Sequence, residues 1–329
     1  MTEDWYRARL APPGAGCLSV VIDTDAANEI DDQFALAWAL LSPGRLRVLG
    51  VYAEPFSFAH RRAQLPHAGA DAPPFCPPDI GMERSHEEIL RVFGLLGLPV
   101  QGRALRGHPG YLPPDGPPQS CDAVDHLIAT ARAMPGDTPL YVVALGCPTN
   151  VAAALLLAPD IARRIVVVWT SGYPSHAPHA NDSFNLEQDV RASHVLLDSG
   201  VPLVYLPGFH VGAQLRFSLA EADRYLRHRG AIGGYLHRLF THNPLWAIYP
   251  QAAQEPYSWV IWDIITIAWL LEPDWVPSHI VPTPGLDDAL RWVRRAGAPP
   301  MREAYAVQRD AIFRDLLAKL PGPDPDPAA

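Results

Sequence analysis

The chain has 329 residues, 48% of them hydrophobic, and a formal net charge of -9, so it can bury a large core and, lacking any basic run, is not built to hold a phosphate backbone. Lys319 is its single lysine, which excludes a Gly-Lys nucleotide-phosphate loop and leaves no plausible Schiff-base amine. Cys17, Cys76, Cys121 and Cys147 stand singly without metal-type spacing, and neither a leader-like apolar segment nor an apolar run of about eighteen residues occurs, so a cytoplasmic protein that avoids membranes and nucleic acid is expected.

In chain order, residues 18–23 (LSVVID) predict a first strand and 32–41 the helix that follows. Further strands are predicted at 46–53, 139–145, 164–172 and 202–207, and helices at 85–97, 121–134 and 190–200, the last closed by Gly200 as a C-cap. Short β-rich runs alternating with longer helical patterns indicate α/β architecture: an open, mostly parallel central sheet flanked by helices. One domain over 1–320 is expected, with a helical region over 218–275 capping the sheet. The proline-rich segments 66–79 and 106–120 read as loops, and 321–329 as a disordered tail.

The functional signal is the stretch DTDAANEIDD, residues 23–32, which sets Asp23, Asp25, Glu29, Asp31 and Asp32 beside strongly apolar sequence. Carboxylates this close repel unless a cation or a shared proton offsets the cost. Asp23 and Asp25 close a buried strand and Asp31 and Asp32 open a helix, so they converge on the crevice at the carboxyl ends of the strands. Acids in a first helical turn also suit the helix dipole, but that does not account for the two at the strand end. Hard oxygen ligands without Cys or His select Ca²⁺ or Mg²⁺ over zinc. A D-x-D strand end also opens haloacid dehalogenase-type phosphatases, but Ala27 and the missing lysine depart from that pattern.

Four segments in order resemble the nucleoside hydrolase family of the inosine-uridine-preferring type: DTDAANEIDDQFA, two residues longer in the turn than the family's D-x-D-P-G-x-D-D-A, then VVALGCPTNVAAAL, NDSFNLEQDV and WVIWDIITIAWLL. The resemblance implies hydrolysis of the N-glycosidic bond of ribonucleosides through a Ca²⁺-bound water. It further implies metal binding by Asp25, Asp32, the Thr149 carbonyl and Asp263, Asp25 as general base, Asp31 and Asn185 on the ribose hydroxyls, and Asp23 orienting the metal-binding carboxylates. Assembly as a homodimer or homotetramer is implied as well.

The departures from the family pattern carry their own expectations. AEPFSF, residues 53–58, replaces a glycine-asparagine pair, so Glu54 or Ser57 is a candidate ribose contact, and Ser183 stands where a glutamate would meet the 5′ hydroxyl. Trp262 replaces the histidine of many relatives, which points to stacking on the leaving base and a purine preference. His176 and His179, beside Tyr173, are the alternative proton donors. The competing readings are a calcium-dependent nucleoside or sugar binder without catalysis and, less directly, a phosphatase-like hydrolase.

Overall fold

A computed structural model describes residues 1–69 and 71–322 of the chain; the expected tail lies, from residue 323 onward, outside the described residues. Its strands are β1 (Leu18–Thr24), β2 (Leu46–Ala53), β3 (Ala104–Arg106), β4 (Leu140–Ala144), β5 (Ile165–Ser171), β6 (Leu203–Pro207), β7 (Arg216–Ser218), β8 (Ser258–Val260), β9 (Ser278–Pro282), β10 (Gly285–Leu286), β11 (Trp292–Val293) and β12 (Pro300–Ala304). Its helices are α1 (Glu3–Arg9), α2 (Asp31–Leu40), α3 (Pro78–Leu95), α4 (Asp122–Ala133), α5 (Thr149–Leu157), α6 (Phe184–Glu187), α7 (Val190–Asp198), α8 (Leu219–Tyr225), α9 (Gly230–Thr241), α10 (Ile264–Leu271) and α11 (Arg309–Lys319).

Eight strands form one sheet in the order β3-β2-β1-β4-β5-β6-β12-β9. All neighbours run parallel except the edge pair β12 and β9. β1 joins β2 on one side and β4 on the other, with Ile22 level with both Val51 and Val143. The winding direction reverses there, so a crevice opens at the carboxyl end of β1, where Asp23 and Asp25 sit.

The apolar runs of the central strands follow from cover on both faces. Val20 and Ile22 join Val143, Val168 and Leu206 in one core, whereas Val21 joins Val142, Val167 and Tyr205 in the other. α2 is buried over its entire length, which is why its sequence is apolar all round instead of striped. The helical region 218–275 is present, but Leu226, Ile232, Leu236, Phe240 and the α10 residues Ile264, Ile265 and Ile267 share a core with β1 and α2. It is therefore packed into the body of the sheet. A separate small cluster of Phe58, Ala68, Leu245 and Ile248 joins the loop after β2 to the loop after α9.

Gly200 has φ +72°, as a residue just beyond a helix end requires. The loop expected over 66–79 ends early, because α3 begins at Pro78, and a proline at the first helical position loses no hydrogen bond. Among the described residues no helix is long and apolar enough to cross a membrane, and the four cysteines form no disulfide.

Candidate active site

A cavity of about 540 Å³ opens over the carboxyl ends of β1, β4, β5 and β6. Asp25, Asp31, Asp32, Ser183, Asn185, Trp262 and Asp263 all line it. Residues up to 238 positions apart in the chain are thus brought to one place by the sheet's switch of direction and by α10, whose N-cap is Asp263.

Asp31, Asp32 and Asp263 each offer a carboxylate oxygen within 4.8 Å of the others, and each is at most 3% exposed. Burial, with repulsion from neighbouring acids, holds the Asp25, Asp31 and Asp263 carboxyls well above the ordinary range. Burial raises Asp32 to about 6, a rise tempered by the Thr24 hydroxyl that donates to its Oδ1. No basic side chain pairs with these carboxylates among the described residues. A hard divalent cation fits this donor set of carboxylate oxygens, which carries neither His nor Cys. Asp25 lies outside the tight triplet but near enough for its charge to raise Asp263.

Thr149 is placed elsewhere than expected. It is the first residue of α5, so its carbonyl points along the helix toward the amide one turn on, and its hydroxyl donates to Asp189 Oδ2 at 2.6 Å. Leu145, just past β4, lines the wall instead, and the Asn185 amide donates to its carbonyl. That amide also donates to the Thr170 carbonyl at 3.0 Å, which fixes Asn185 against β4 and β5.

Glu54 is not a cavity residue. It continues the alternation that turns Tyr52 toward the α5 face, and it lies fully buried with no hydrogen-bond donor on either carboxylate oxygen. Burial, and the Asp23 charge next to it, hold its carboxyl well above the ordinary range. Asp23 faces the same way, accepting from Asn150 Nδ2 at 2.8 Å, and burial pushes its carboxyl up to about 7. Gly146 separates this buried pair from the cavity: a Cβ there would fall 2.1 Å from Glu54 Oε2 and 2.6 Å from Asp25 Oδ1. Ser57 is likewise buried and occupied, capping the next turn through Ala59 N at 3.0 Å.

His176 and His179 do not line the cavity. Both are exposed, and His179 packs on Tyr173 with ring centroids 4.8 Å apart, behind Phe209. Phe209, itself part of the wall, meets Trp262 edge to face at 6.0 Å, so Tyr173 and Phe209 stand between that histidine and the cavity. No histidine lines the cavity among the described residues.

Glu29 of the acidic stretch also lines the wall, as do Asn28, Arg61, Phe184, Phe209 and Trp259, to which the sequence assigned no role. Asn28 falls in the lengthened turn, the one signal that could have marked it. Asn28 donates to Asp25 Oδ2 at 3.1 Å, and Trp259 Nε1 donates to Glu29 Oε1 at 2.6 Å. Burial raises Glu29 to about 7.

Comparison with known proteins gives consistent matches. The family model described as inosine-uridine preferring nucleoside hydrolase matches residues 20–307. Among curated proteins, the pyrimidine-specific ribonucleoside hydrolase RihA of Citrobacter koseri is 26% identical over 291 residues, covering 78% of this chain and 80% of its own. The probable uridine nucleosidase 2 of Arabidopsis thaliana is 26% identical over 226 residues, covering 66% and 67%. Among solved structures, a purine-preferring ribonucleoside hydrolase from Gardnerella vaginalis superposes with a TM-score of 0.69 at 19% identity, covering 92% of this chain and 97% of that one.

Proposed function

The chain belongs to the inosine-uridine preferring nucleoside hydrolase family, and from that premise we propose that it hydrolyses ribonucleosides at this cavity with a Ca²⁺ ion held by the buried aspartates. The observation that carries the proposal is the crowding of Asp31, Asp32 and Asp263 within 4.8 Å beside Asp25, on the wall that also presents Asn185 and Trp262. Asp32, Asp263 and Asp25 would hold the ion, with the Leu145 carbonyl taking the place first expected for Thr149. A bound divalent cation offsets the carboxylate repulsion and lowers the pKa of a coordinated water.

The chain's own groups then account for the remaining work. Asp25, oriented by Asn28, accepts the proton of the attacking water while the water oxygen bonds to the anomeric carbon and the glycosidic C–N bond breaks. Asp31 and Asn185 grip the vicinal ribose hydroxyls. Hydrogen bonds that tighten as positive charge grows on the sugar ring favour the transition state over the bound substrate.

With the histidines away from the cavity, base departure falls to Trp262. Its indole forms part of the wall and packs at right angles to the Phe209 ring, and a large flat indole surface favours the larger purine ring. RihA is named for pyrimidines and the Gardnerella enzyme for purines, so the base preference rests on the wall of this cavity. The test is release of free ribose from inosine, guanosine, adenosine, uridine and cytidine with Ca²⁺ present. Purines turned over faster than pyrimidines are expected; no release from any of the five or from their 5′-phosphates would overturn the proposal, and ligand bound but recovered intact would indicate a binding protein.

A further inference from the structure

In a cavity walled by acids, Arg61 is the one basic side chain among the described residues. It lies in the short 3-10 turn Ala59–Gln64 after β2, and its side chain is 17% exposed. Nε donates to Glu187 Oε1, and Nη2 donates to the Asp182 carbonyl at 2.6 Å. The guanidinium carbon stands 5.4 Å from the Phe184 ring centroid and 5.9 Å from that of Phe58, and those two rings are stacked at 4.2 Å. Glu187 Oε1 also lies 2.8 Å from His60 Nε2. Two anchors and an aromatic seat hold the fork in place, and Nη1 has no protein partner among the described residues. A guanidinium fixed in this way is suited to an oxyanion, because little rotamer freedom is left to lose on binding.

The anchors also place the cation relative to the sugar. Asp182, whose carbonyl fixes Arg61, is followed directly by Ser183 and, two residues later, by Asn185, the proposed ribose contact. Ser183 and Ser171 both line the cavity, and their hydroxyls meet at 2.7 Å. A carboxylate at 183 would repel an anion, whereas a pair of hydroxyls can donate to one. We propose that the substrate is a ribonucleoside carrying a phosphate on its 5′ oxygen, bound by Arg61 with the Ser171 and Ser183 hydroxyls. This rests on the ribosyl-hydrolase reading of the same site and deepens it by naming the substrate class.

The test compares kcat/KM of the Ca²⁺-loaded full chain for adenosine with adenosine 5′-monophosphate, and for uridine with uridine 5′-monophosphate. A charge-assisted contact of this kind predicts a preference for the phosphorylated form of about tenfold or more. Arg61→Gln collapses that ratio and Arg61→Lys restores part of it, a readout independent of how much protein folds. A second arm measures binding of ribose 5-phosphate against ribose by calorimetry. Nucleosides hydrolysed as well as their 5′-phosphates overturn the proposal and leave the nucleoside hydrolase reading standing. If neither class is hydrolysed, the reading of activity fails and calorimetry decides: ribose 5-phosphate bound no tighter than ribose overturns the phosphate site, while tighter binding lost in Arg61→Gln supports it.

Discussion

Asn150, near the start of α5, donates its side-chain amide to Asp23 at the end of β1 at 2.8 Å and accepts from the His108 amide at 2.7 Å. One buried residue thus ties together β1, α5 and the loop after β3. Asn150→Ala leaves a buried carboxyl and a buried amide without partners. A loss of about 2–4 kcal/mol in unfolding free energy is expected, measured by urea denaturation; a loss near zero would mean that water replaces the amide.

Gly146 is present because Asp25 and Glu54 both occupy the space that a Cβ at this position would need. In Gly146→Ala the new methyl displaces at least one of them, and a displacement of about 1 Å at a catalytic group costs on the order of 10²-fold in rate. Steady-state kinetics on the most active nucleoside would show kcat falling by that order, with far-UV circular dichroism unchanged.

Asp25→Asn removes the proposed base, and kcat is expected to fall by about 10²–10⁴-fold. Trp262→Ala removes the stacking surface and should lower kcat by about tenfold, while Trp262→Phe recovers part of it. Equal turnover by Asp25→Asn and the parent chain would reassign the base.

His179→Ala and His176→Ala are expected to leave kcat within about twofold of the parent chain, as surface changes away from the site usually do. A collapse in either variant would place a histidine at the leaving base after all.

The acid cluster makes stability depend on pH in a defined direction. Asp32, ordinarily at 3.8, is raised to about 6, and Asp23 and Glu29, ordinarily at 3.8 and 4.5, to about 7. Their folded-state values exceed their unfolded ones, so the stabilisation is complete below about pH 4 and is lost as the pH climbs through 6 to 7. Metal-free protein should therefore melt at a lower temperature at pH 8 than at pH 5. Added Ca²⁺ should raise the melting temperature more at pH 8, where the ionised carboxylates bind it. Differential scanning calorimetry in chelator and in Ca²⁺ checks both; identical curves would argue against an ion at these aspartates.

The sequence carried much of this arrangement. β1 and α2 were legible because strands covered on both faces and a fully enclosed helix both leave long apolar runs, against which DTDAANEIDD stands out. β9 and β12 left little trace, being short and only partly buried. Of the segment expected to lend the Thr149 carbonyl, it is Leu145 that lines the cavity, while Thr149 opens α5 and donates to Asp189; composition cannot show on which residue a helix begins. Glu54 could have been placed by parity, since it shares a face with Tyr52. Arg61 could not, because a 3-10 turn has no periodic pattern and its anchors lie more than 120 residues away.

The small cluster of Phe58, Ala68, Leu245 and Ile248 stands apart from the two large cores, and Phe58 and Leu245 are also part of the cavity wall. Parting so few side chains costs far less than disrupting the body of the sheet, and segments held this lightly exchange their amide hydrogens through local opening. Traffic into and out of the cavity can therefore proceed over this rim while the aspartates, fixed just past β1 and at the starts of α2 and α10, keep their spacing.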